Sequence, residues 1–121
     1  MADESKLPDF KQVKTVFVIH PGVGISVSHP QATAIVIQPF IIEIAPSEGE
    51  YLATSRISNV YELGAMPGQA VMRYLKSLVD ELVWLQKHQK SLSASIREEL
   101  RLLQSYVTIS FCFCSPPSSK T

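Results

Sequence analysis

Residues 41–70 read IIEIAPSEGEYLATSRISNVYELGAMPGQA, and the pattern of this stretch decides the fold class. An apolar, β-branched run over 41–45 meets a polar turn of hairpin length at Pro46, Ser47, Glu48, Gly49 and Glu50, and the apolar run resumes at Tyr51, Leu52 and Ala53. The spacing predicts a β-hairpin of 41–45 against 50–55. A further short strand over 60–63 ends at Gly64, which completes a three-stranded antiparallel meander. At Pro67 the period changes. Proline suits the first helical position, because its fixed φ is helical and its missing N–H would have no partner there. Beyond it Val71, Leu75, Leu78, Leu82 and Leu85 recur at steps of four and three, predicting an amphipathic helix over 67–90. Tyr74, Val79 and Val83 widen the stripe to the breadth needed to cover a sheet. Trp84, on the same helix, is expected in the core or at an interface.

Upstream, the β-branched run 15–19 is bounded by His20, Pro21 and Gly22 and reads as a buried or edge strand. Residues 21–30, rich in Gly, Pro and Ser, read as loop. Segments 34–38 and 40–45 read as one β-rich stretch broken at Pro39, which has no N–H to give a ladder. Downstream, Ser95 with Glu98 three residues later has the form of a capping box, opening a second helix with Ile96, Leu100, Leu103 and Val107 on one face. Residues 107–114 alternate as a strand does, and Pro116 and Pro117 end it. The expected fold is α+β: an antiparallel β-sheet of hairpin and meander packed by one long helix, followed by a second shorter helix. The expected organisation is a flexible arm over 1–12, a single domain over 13–114 and a disordered tail over 115–121.

The chain has 121 residues, 45% of them hydrophobic, which suffices for one core without staples. Eleven basic and eleven acidic side chains cancel, removing the bulk attraction that carries most nucleic-acid affinity. The second helix sets Arg97 and Arg101 beside Glu98 and Glu99, so direct DNA binding is not expected. No apolar run has the length of a membrane span, and Cys112 and Cys114 are too close to staple the fold. The expectation is a cytoplasmic protein without a membrane partner.

Catalytic patterns fail one by one. Zinc ligands come in pairs with two to four residues between them on turns, whereas Cys112 and Cys114 have one residue between them and no two of His20, His29 and His88 are close. Gly22 and Gly24 lack the third glycine and the helix of a dinucleotide loop, and Ser26 lacks one glycine of a nucleophile elbow. No metal, no cofactor and no catalytic residue is expected, and the chain reads as a non-enzyme. Glu43, Glu48, Glu50 and Glu62 gather about the hairpin as an acidic rim suited to a basic partner, with Tyr51 and Tyr61 as rigid contact area.

Gly49, Tyr51, Ala53, Gly64, Pro67 and Ala70 stand where the HicB-type antitoxin family carries its Gly-x-Tyr-x-Ala hairpin, its short strand ending in Gly and its Pro-x-x-Ala helix entry. The segment 40–90 thus resembles the core of that family, with Met66 where Thr is usual and a shorter loop at Arg56, Ile57, Ser58 and Asn59. The resemblance implies a partial ribonuclease-H-like module without catalytic carboxylates that binds and masks a small basic toxin, a ribonuclease of the HicA type. The alternative is an orphan structural or oligomerisation protein of the same fold. An exposed hairpin edge and the stripe Ile96, Leu100, Leu103 and Val107 lead to the expectation of a homodimer.

Overall fold

The computed structural model describes residues 15–28 and 31–111. The expected arm, the expected tail, His29 and both cysteines lie outside the described residues. Strand β1 spans Thr15–Ile19, β2 Gly24–Ser28, β3 Gln31–Val36, β4 Phe40–Ser47, β5 Glu50–Thr54 and β6 Tyr61–Gly64; helix α1 spans Pro67–Lys87, α2 Ala94–Tyr106, and β7 Val107–Phe111 closes the described chain. The fold is α+β, with two antiparallel sheets of order β1-β4-β5-β6 and β2-β3-β7.

Both sheets grow from one bent hairpin. Thr15 faces Ile44 and Ile19 faces Phe40; farther along, Gly24 faces Ile35 and Ser28 faces Gln31, so partner numbers total 59 throughout. The register survives the bend because Gly22 N–H donates to the Val36 carbonyl (2.8 Å) and Val36 N–H to the Val23 carbonyl (2.9 Å). The bend itself has local causes. Pro21 and Pro39 offer no N–H on either arm, and Gly22 takes φ +98°, a left-handed conformation that costs glycine little. The Ile37 and Gln38 amides donate instead to the Tyr106 carbonyl at the end of α2, which brings β7 beside β3.

The expected loop over 21–30 is therefore corrected: β2 occupies residues 24–28. Ile25 is buried and Val27 packs on the core, while Gly24 and Ser26 are exposed, a period of two hidden in a Gly/Ser-rich composition. The β4–β5 hairpin forms as expected. Its two central residues, Glu48 (φ 50°) and Gly49 (φ 86°), are both left-handed, the backbone twist that matches a two-residue hairpin. The helix predicted to run to 90 ends at Lys87, and a 3-10 turn over Gln89–Ser91 follows. The cap of α2 is Ser93 rather than Ser95, its hydroxyl accepting from Ile96 N–H at 3.4 Å.

Helix α1 packs along β6 and β5 and reaches β4 and β2, so it fills the space between the two sheets. Val71, Tyr74, Leu75, Leu78, Val79, Leu82, Val83 and Leu85 are buried there against Ile42, Ile44, Ala53 and Val36. Leu100, Leu103 and Val107 complete the same core. Three of the four members of the stripe on which the sequence based a homodimer are thus covered within the chain itself.

Tyr74 is fully buried, and its hydroxyl shares a 2.8 Å hydrogen bond with that of Ser58. Burial pushes the phenol above its ordinary value, with the Ser58 and Ser55 hydroxyls pulling the other way. The folded chain therefore keeps this proton to higher pH than the unfolded chain does. Its contribution is complete below the unfolded value of 10.0 and is lost as pH rises through the folded one. The expected result is an extra fall in unfolding free energy above that pH, with a limiting slope of about 1.4 kcal/mol per pH unit. Tyr74→Phe should abolish this component and lower stability at neutral pH by about 1 kcal/mol. Urea titrations of both forms at neutral and alkaline pH measure it.

Candidate functional site

Alternation along the strands sets one face of the first sheet against α1 and the other outward. Ile42 and Ile44 point in; Ile41, Glu43 and Ala45 point out. Register then assembles the outer face in rows. Val16, Glu43, Thr54 and Tyr61 form one, Ala45, Leu52 and Leu63 a second, and Val18 with Ile41 a third. The face is apolar: Val16, Val18, Ile41, Tyr61 and Leu63 are all exposed, and Ala45 and Leu52 are half-buried.

The second sheet provides the comparison. Its outer rows place Ser26, Thr33 and Ser110 side by side, then Gly24, Ile35 and Thr108. That face is built of small hydroxyl side chains around a single isoleucine, as a solvated antiparallel sheet ordinarily is. Water alone does not require the difference between the two faces. Contiguous exposed apolar surface on a small domain marks an interaction site. A cleft of about 410 Å³ adjoins the apolar face where Ile41 and Glu43 meet Arg56 and Tyr106. It offers a recess with one acid and one base at its wall.

The glutamates expected to form one acidic rim are distributed over three places. Glu43 lies within the outer face, between Val16 and Thr54. Glu48 and Glu50 stand exposed at the β4–β5 turn. Glu62 is on the side of β6 that faces α1, where its carboxylate accepts from the Ser77 hydroxyl. The tyrosines divide likewise: Tyr61 is on the outer face and 65% exposed, whereas Tyr51 packs against the core. Of the six, Glu43 and Tyr61 share the outer face.

Sequence reasoning missed the outer face itself. Val16, Val18 and Ile41 look like core residues, because β-branched apolar side chains on both faces of a strand signal burial on both sides. Among the described residues no group of three His, Cys, Asp or Glu side chains converges as metal ligands would. No helix of the described chain is long and apolar enough to cross a membrane. Comparison of the chain with family models, curated proteins and solved structures finds no match.

Proposed function

We propose that this chain is a cytoplasmic protein-binding module that acts by occlusion rather than catalysis, covering a small basic ribonuclease in the manner of HicB-type antitoxins. The observation that carries the binding reading is the contrast between the two sheets: apolar outside on β1-β4-β5-β6, hydroxyl-rich outside on β2-β3-β7. The identity of the partner class rests on the resemblance of residues 40–90. Glu43 within the face, and Glu48 and Glu50 at its turn end, supply negative charge toward a basic partner.

A second reading is supported by the edge position of β1, whose Val16 and Val18 are exposed. Two copies pairing through this strand would join their sheets edge to edge and make a homodimer in which the two outer faces run on as one surface.

The test is capture from the native cytosol with the tagged chain, followed by a ribonuclease assay on what is captured. The expected outcome is a small basic protein that degrades RNA and is silenced by stoichiometric addition of this chain. Glu48→Lys with Glu50→Lys should slow the association several-fold at low salt and much less at high salt, because both charges are exposed and screened. Recovery of further copies of this chain alone would favour the homodimer, and an on-rate unchanged at both salts would remove these glutamates from the binding surface.

A further inference from the structure

Beside the outer face, β6 and α1 enclose an open groove of about 510 Å³. Two aromatic side chains line it, Tyr61 from β6 and Trp84 from α1, exposed by 65% and 52%. Three carboxylates line it with them: Glu62, Asp80 and Glu81. Residues 77, 80, 81 and 84 fall on one side of a helix by their spacing, so α1 delivers Ser77, two acids and the indole as one strip.

No described cation answers these acids. The lining contains neither Lys nor Arg, and none lies within ion-pair distance of the three carboxylates among the described residues. Arg73, a turn earlier on α1, is turned to the Leu63 carbonyl (2.9 Å). The indole is held in place: the His88 ring stacks on it at 4.2 Å between centroids and 21° between planes, and His88 Nδ1–H donates to the Trp84 carbonyl (2.9 Å). A fixed, half-exposed tryptophan beside acids without a cation is poor solvated surface and a good seat for a flat cation.

The acids do not converge as metal ligands, which disfavours a compact divalent ion. A guanidinium suits them better. It spreads its charge over a plane, donates in several directions to separated carboxylates and stacks on aromatic faces. We infer that the groove between β6 and α1 is the seat of an arginine side chain presented by a protein partner. The inference rests on the protein-binding reading for the source of the cation and adds the chemistry of its anchor.

Trp84 is the single tryptophan of the chain, so its emission reads the groove directly. The probe is N-acetyl triarginine amide titrated into the full-length protein, with N-acetyl trilysine amide as comparison. The expected result is a saturable, salt-sensitive change in Trp84 emission, with trilysine at least about threefold weaker because an ammonium stacks less well. The triple variant Glu62→Gln, Asp80→Asn, Glu81→Gln should bind triarginine about tenfold more weakly, and Tyr61→Leu about threefold. Both leave the buried core untouched, and the carboxamide oxygen introduced by Glu62→Gln can still accept from Ser77. Failure to saturate, equal binding of trilysine, or unchanged affinity in the triple variant would each overturn the inference. Ile41→Lys separates the two claims: it disrupts the outer face and should keep the peptide response in full. In this variant, lost ribonuclease capture with an intact peptide response is the outcome both claims predict; retained capture with an intact response counts against the outer face alone, and a lost peptide response counts against the groove alone.

Discussion

Leu82→Asp should remove a large part of the chain's folding stability at 25 °C. Leu82 is fully buried on the face of α1 that fills the space between the two sheets, and the described core offers its carboxylate no basic partner. An unpaired charge in such a place adds its desolvation to the lost packing, a combined cost above about 4 kcal/mol against a total stability of about 5–15 kcal/mol. Leu75→Asp, two helical turns earlier and 5% exposed, should behave alike. Circular dichroism and urea titration check both. A cooperative transition at the parent's midpoint in either variant would refute the packing of α1 between the sheets.

The second large effect is expected at Gly64, and here the cause is distance rather than backbone freedom. A Cβ at this position would lie 2.5 Å from the Ala70 nitrogen and 2.9 Å from its Cα, both backbone atoms at the start of α1. Backbone in a helix cannot step aside without shifting α1 off β6, so Gly64→Ala should cost about 3 kcal/mol. Gly68 gives the opposite sign within four residues. Nothing lies within 4 Å of its Cβ position, it sits in the first turn of α1, and Gly68→Ala should stabilise by about 0.5 kcal/mol. Thermal melts of the two variants side by side should move in opposite directions; equal shifts would contradict the close approach of β6 to α1.

These residues also show how much of the fold was legible. Gly64 and Pro67 could be read as strand end and helix start from local chemistry alone, and the steps from Val71 to Leu85 gave the buried face of α1 correctly. The β4–β5 hairpin was equally local, although Glu48 in a left-handed conformation is not a residue that advertises such a turn. What local pattern could not supply was partnership at long range. Ile25 and Val27 carry the period of a strand, but glycine, proline and serine around them masked it. Nothing short-range tells that β1 and β2 belong to different sheets, because the bend is held by hydrogen bonds from the Ile37 and Gln38 amides to Tyr106, about seventy residues away in the chain.

The same limit explains the site. Alternation put Glu43 outward correctly, since Ile42 and Ile44 bracket it. Glu62 brackets differently: with Tyr61 and Leu63 as its neighbours, alternation seats the two apolar residues together, and the sequence does not say that theirs is the exposed side. Ser77 on α1 satisfies Glu62 on the inner side at the sheet edge, where a polar residue reaches water. The groove joins Tyr61 on β6 to Trp84, more than four turns into α1, and the pairing of those two aromatics exists in three dimensions alone.

The proposed binding surface is the outer face of β1-β4-β5-β6, and the outer face of β2-β3-β7 lies outside it. Ile41→Lys and Thr33→Lys place the same charge at exposed positions on the two faces, each at a stability cost expected within about 1 kcal/mol. The deciding measurement is the dissociation constant of the captured partner for these two variants and the parent, by biosensor titration at one salt concentration. Ile41→Lys should weaken binding at least tenfold, roughly 1.4 kcal/mol, while Thr33→Lys stays within twofold of the parent. Equal affinity for all three, or a loss confined to Thr33→Lys, would rule out the outer face of β1-β4-β5-β6 as the binding surface.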